Sequence, residues 1–171
     1  TVVATSVADT VAGILRGEKL AGGQQRSAVV RALLSGTTAA SFEAVSRGLV
    51  SFDAARNLAK TAVGAAIERA LSVGADAAER AIAVSAVVTG VITGSIESMG
   101  LGQTSFKSVE RFAADAVGTA LDRVISLKTD DADKARITGA LLTDVADTVL
   151  QGVASGALTA DQAVSVVGRS A

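Results

Sequence analysis

Three carboxylates, Asp130, Asp131 and Asp133, form the densest acidic group in the chain. A hard cation such as calcium could take oxygen ligands from such a run. A calcium loop also needs a glycine for its sharp turn and a distal Glu, and neither stands at the required spacing. A helix start explains the group better, because carboxylates there accept from free backbone N–H groups and face the positive end of the helix dipole. The stretches Ala21-Gly22-Gly23-Gln24 and Gly100-Leu101-Gly102-Gln103-Thr104-Ser105 precede expected helices, where a phosphate could settle. Neither has the lysine of a phosphate-binding loop and neither follows a strand-like run, so both read as interhelical turns. His, Cys and Tyr are absent. That removes Ser-His-Asp and Cys-His nucleophilic sites, imidazole and thiolate metal ligands and phenolic acids. No catalytic, cofactor-binding or metal-binding residue is nominated, and no enzymatic activity is expected.

Phe42, Phe52, Phe106 and Phe112 could line a cavity for a hydrophobic ligand or plug the ends of a core made of small residues. The second reading is preferred. With one Met, four Phe and no Trp, a chain that is 49% hydrophobic must build its core from Ala, Val, Leu and Ile, and must therefore bring its helices close together.

The elements that would hold these residues are helices. Proline is absent, and Gly with Ser or Thr supplies the punctuation. Helices are expected over 2–16, 24–35, 41–49, 52–73, 76–99, 105–127, 130–154 and 160–169. Ser51, Ser105, Thr129 and Thr159, the last with Gln162 three residues on, are the expected caps. Asp76 with Arg80, and Asp130 with Lys134, are spaced to pair on a helix surface.

Residues 51–91 lie on 105–145 at a constant shift of 54. Ser51/Ser105, Phe52/Phe106, Gly64/Gly118, Arg69/Arg123 and Asp76/Asp130 fall in register. The apolar row Ala59, Val63, Ile67, Leu71 recurs as Ala113, Val117, Leu121, Ile125. Each copy reads as an αα-hairpin. Gly64 and Gly118 sit midway along matching helices, where glycine costs about 1 kcal/mol, so each is expected to admit the close approach of another helix. A second echo relates Val7-Ala8-Asp9-Thr10-Val11 to Val145-Ala146-Asp147-Thr148-Val149 at a shift of 138, which Leu20/Leu158 and Gln24/Gln162 share. A slice through a tandem array would show this, and so would a short duplication inside one domain; the start at Thr1 fits a piece of a longer protein.

Sixteen basic residues against seventeen acidic ones leave a net charge of −1, so neither a nucleic-acid footprint nor an acidic tail is visible. The longest uncharged stretch in the middle of the chain, Ala81–Ile96, is short and polar for a membrane span and reads as a buried helix. Within it Ala81–Ile92 is rich in β-branched residues, which favour strands over helices.

Gly100-Leu101-Gly102, then Arg111-Phe112-Ala113-Ala114-Asp115-Ala116-Val117, then Gly156-Ala157-Leu158-Thr159 after a long helix resemble the folded repeat units of spider silk proteins, nearer the aciniform and pyriform types than the dragline type. The resemblance covers about the last 70 residues. It implies a secreted structural protein, stored as soluble helical globules and drawn into fibre, whose partner is an identical unit.

The expectation is one all-α domain over 1–171, a globular bundle of seven or eight antiparallel helices with internal repeats 51–104 and 105–158. Its expected role is a silk-like structural unit, extracellular and self-associating, with no cofactor, metal, nucleic acid, membrane span or small-molecule substrate. A helical surface-active or lipid-associating protein and a microbial cell-surface scaffold repeat are the alternatives.

Overall fold

The computed structural model describes residues 2–17 and 23–170. Among these are seven helices and no strand: α1 (Val2–Arg16), α2 (Gly23–Ser46), α3 (Phe52–Val73), α4 (Ala77–Gly100), α5 (Phe106–Ile125), α6 (Asp131–Ala154) and α7 (Ala160–Ser170). The all-α bundle is as expected. Its period is stricter than the sequence suggests: α2, α4 and α6 are each 24 residues long and start 54 residues apart, as do α3, α5 and α7.

The helices form two layers. The even helices pack side by side in the order α2, α4, α6, and the odd ones in the order α1, α3, α5, α7. Helices within a layer run parallel, since Arg31 and Ser35 of α2 abut Gly90 and Gly94 of α4 in turn, and Arg56 and Glu68 of α3 reach Asp115 and Arg123 of α5. The chain is thus a stack of αα units in which each touches its neighbours, the quasi-one-dimensional plan of helical solenoids.

The turns between units explain the period. Each places a glycine in the left-handed region, Gly48 (φ 71°), Gly102 (φ 71°) and Gly156 (φ 76°), where a side chain would be strained. At the first, the Gly48 N–H donates to the Val45 carbonyl and the Leu49 N–H to the Ala44 carbonyl, both at 2.9 Å, closing off the helix end. A hydroxyl then opens the next helix: Ser51 accepts from the Ala54 N–H, Ser105 from the Ser108 N–H, and Thr159 from the Gln162 N–H while Gln162 Oε1 accepts from the Thr159 N–H.

Several expectations are corrected. The segment read as two helices, 24–35 and 41–49, is the single helix α2. Gly36 and the two threonines after it do not break it, because Thr37 donates to the Leu33 carbonyl (2.8 Å) and Thr38 is buried against the core. Packing along α4 outweighs the weak local preference. Asp130, not Thr129, caps α6, and the Thr129 hydroxyl donates to Asp133 Oδ2 at 3.0 Å. Asp76 is consumed as the cap of α4, so Arg80 donates to the Gly74 carbonyl (3.1 Å), while Lys134 reaches Asp131 rather than Asp130. The echo at 138 matches α1 to α6 and α2 to α7, which lie in different layers and are not equivalent; its Leu20 lies outside the described residues.

Helix α4 is the centre of the core. Every residue from Ala83 to Ile92 is buried, with Val84, Val87, Val88 and Ile92 fully so. Close approach of α2 is made possible by Gly90 and Gly94, one turn apart. A Cβ on Gly90 would stand 2.7 Å from the Arg31 carbonyl oxygen and 2.8 Å from Leu34 Cβ, and one on Gly94 would stand 2.9 Å from Ser35 Cα and closer still to the Ser35 carbonyl oxygen. Gly64 and Gly118 do not have the role expected of them: a Cβ on Gly64 would make ordinary contact with Thr119 at 3.6 Å, and one on Gly118 would meet nothing.

Inside this core the Ser85 hydroxyl is buried without a hydrogen-bond partner, whereas Thr89, Ser95 and Ser98 donate to the carbonyls four residues back. An orphaned buried hydroxyl costs about 1–3 kcal/mol. Ser85→Ala is therefore expected to raise stability by about 1 kcal/mol or more, measured as a higher urea midpoint with unchanged slope.

Candidate interaction surface

The residues singled out for chemistry all have structural work. Asp130 Oδ1 accepts from the Asp133 N–H at 2.7 Å, and Asp131 lies 3.8 Å from Lys134. No group of three or more acidic residues converges in a metal-holding arrangement among the described residues. In the Gly100–Ser105 stretch the Gly102 and Gln103 N–H groups are bonded back to α4, and Ser105 caps α5, so no phosphate cradle is left. Gly23 opens α2, while Ala21 and Gly22 lie outside the described residues. Three of the phenylalanines do meet: Phe112 stands 4.6 Å from Phe42 and 5.8 Å from Phe52, ring centre to ring centre, both tilted. They fill the space between α2, α3 and α5 rather than line a cavity. Phe106 packs against the core from the next turn.

Ion pairs tie the odd layer together. Arg56 grips Asp115 with both Nε (2.6 Å) and Nη2 (2.9 Å), and this hydrogen bond, then the carboxylate charge, raises the Arg56 pKa above its ordinary value against a small opposing effect of burial. Arg69–Asp9 and Arg123–Glu68 repeat the link along the row, and Glu110 accepts from the Ser165 hydroxyl and faces Arg169 of α7. In the even layer the Ser35 hydroxyl donates to Glu97 at 2.8 Å. An open cleft runs there between α2, α4 and α6, with Arg31, Glu97 and Asp144 around it. Its remaining polar groups are the Gln24 amide and the Ser27, Ser35 and Thr93 hydroxyls, of which Ser35 is the one bonded to Glu97.

The two ends of the stack are different in kind. Because of the 54-residue period, one position can be followed through successive units. Phe42 and Ile96 are equivalent and buried, while their third counterpart, Leu150, is 60% exposed. Ser35 and Thr89 are buried and Thr143 is exposed; Leu71 is buried and Ile125 is 66% exposed. At the other end the order reverses: Gly36 and Ala40 of α2 are exposed, and their equivalents on α4, Gly90 and Gly94, are buried against the backbone of the preceding helix. Each interior face thus recurs, uncovered, at one end. A unit that closes a solenoid carries a polar outer face. Here Val29, Ala32, Gly36 and Ala40 at one end and Leu142, Thr143, Ala146 and Leu150 at the other carry no charge.

The sequence contains the signal for these faces. Extended upstream, the shift of 54 also aligns Arg26/Arg80, Gly36/Gly90, Glu43/Glu97 and Gly48/Gly102. The apparent break after Gly36 hides it.

Comparison of the chain with protein-family models, with curated proteins and with solved structures finds no match.

Proposed function

We propose that the chain is a structural repeat unit of a secreted, silk-like protein, a soluble helical globule that self-associates with identical units and assembles into fibres. The observation that carries this reading is the architecture: a stack of αα units, packed on small residues, whose end faces repeat its own interior faces, with Val29, Ala32, Gly36 and Ala40 on α2 and Leu142, Thr143, Ala146 and Leu150 on α6 left in contact with solvent. Such an object adds to itself. The resemblance of Gly100–Val117 and Gly156–Thr159 to silk repeats supports the same role.

Helix α4 gives the unit a second state. Its Ala81–Ile92 segment is uncharged, without proline and rich in Val and Ile, and stays helical because neighbours bury it. Opened by shear or drying, it meets the requirements for pairing between chains. Dilute protein is expected to be monomeric and helical by circular dichroism. Concentrated protein, sheared or dried, is expected to give fibres whose infrared amide band gains a β component, with isotope-edited spectra placing the first strands at Val84–Ile92. Amorphous precipitate, or strands arising in 135–150 where Arg136, Asp144 and Asp147 interrupt the run, would overturn the reading.

Among the described residues α4 is also the one helix long and apolar enough to cross a membrane. If the protein lowers surface tension or binds lipid with α4 exposed, the surface-active alternative takes precedence. In the native fold 78% of its most apolar stretch is buried, as in the core helix of a globule.

A further inference from the structure

We infer that copies of this chain stack head to tail, the α5–α6 end of one receiving the α1–α2 end of the next, so that the 54-residue period continues across the junction. The inference rests on the self-assembly reading above and specifies its contact. In the even layer the open face of α2 repeats the one that α4 offers to α2. Gly36 stands where Gly90 stands and the small Ala40 where Gly94 stands, so the contact is spaced wider by one Cβ than α2 on α4, as α4 on α6 already is with Asp144 and Thr148 at these positions. The helix that seats on Gly90 and Gly94 does so through Arg31, Leu34 and Ser35. The equivalents of Leu34 and Ser35 on α6 are Leu142 and Thr143, on its uncovered side. The hydrogen bond from Ser35 to Glu97 has its counterpart too, since Thr143 brings a hydroxyl and Glu43 a carboxylate to the corresponding positions.

The odd layer tests the fit, because α7 already occupies the row beyond α5. This helix lies along the first part of α5, where Glu110 meets Ser165 and Arg169, and farther along α5 Gly118 and Leu121 are half-buried while Asp122 and Ile125 are exposed. Helix α1 has the complementary shape. Asp9 holds Arg69 as Glu68 holds the equivalent Arg123, so Asp9 stands level with Glu68 and Val2 about level with Thr61 of α3. Helix α7 ends at Ser170, level with Ala62. The two helices therefore fill successive halves of one row: α7 of one copy covers the first part of α5, and α1 of the next covers the rest. The outward side of α1 suits this, with Val3, Ser6, Thr10 and Gly13 exposed and uncharged. Exposed apolar residues that a lone unit leaves in water, Val3 and Val29 at one end and Leu150 and Ile125 at the other, become buried. A head-to-tail contact of this kind propagates into a filament instead of closing as a two-fold dimer.

The test uses one substitution per face, each at a position with room in the single unit. Nothing lies within 4 Å of a Cβ on Gly36, and Thr143 is exposed, so Gly36→Arg and Thr143→Arg should leave the helical signal and urea midpoint nearly unchanged. In sedimentation velocity at rising concentration, wild-type protein is expected to pass beyond dimers. Each variant alone should stay monomeric, and an equimolar mixture should stop at a 1:1 dimer, because one intact face remains on each partner. A wild type that is monomeric at its solubility limit, a variant that still polymerises, or a mixture without dimer would each overturn the inference. Drawing both variants separates this from the broader reading. Fibres with new β structure from variants that no longer stack would leave the silk role standing and remove the head-to-tail contact. A wild type that stacks but gives no fibre on shearing would do the reverse.

Discussion

Gly94→Val lowers the stability of the fold by about 3 kcal/mol or more, the upper range for overpacking a core. A side chain at this position runs into backbone, the Cα and carbonyl of Ser35, which cannot step aside as a flexible side chain could. Relief requires α2 to move off α4, which uncovers Leu34, Val30 and the Ser35–Glu97 hydrogen bond together. With neither Trp nor Tyr in the chain, the helical circular dichroism band is the practical probe of urea unfolding. Gly118→Ala is the control: its Cβ meets nothing, so the exchange should stabilise by up to about 1 kcal/mol through helix propensity alone. Equal effects at the two sites would show that α2 and α4 are not in backbone contact.

Phe112→Ala is expected to cost about 3–5 kcal/mol, as for a large buried aromatic whose cavity cannot collapse. Phe112 is 3% exposed and is the ring that both Phe42 and Phe52 meet, so it joins the end of α2, the start of α3 and the middle of α5. Those elements belong to three different units of the stack. A loss below about 1.5 kcal/mol, the scale of a volume-conserving exchange, would mean that the small-residue core closes over the gap. Unfolding in two steps would mean that Phe112 is what couples the units.

The local features were legible because their causes are local. Ser51, Ser105 and Thr159 cap helices since a hydroxyl satisfies N–H groups within three residues, and the shift of 54 appears wherever Ser-Phe or Gly-Ser punctuation survives in both copies. The same reasoning misjudged Gly36-Thr37-Thr38, whose local preference is against helix, and misassigned Asp76 and Asp130, which could serve as cap or as partner to a cation four residues on. Backbone N–H groups took both carboxylates.

Cap residues and the i, i+4 apolar rows pointed to helices, and a composition with Ala and Val in place of large side chains required those helices to pack close together. Which glycines permit that closeness was decided only in three dimensions. Gly64, Gly90, Gly94 and Gly118 are indistinguishable in a helical sequence, and a side chain at each is tolerated or forbidden according to what crosses the helix there. The two-layer order and the fact that Leu150 faces water while Phe42 and Ile96 do not are of the same kind. A sequence specifies which faces are apolar, but which of them is covered is a property of the neighbours each helix has.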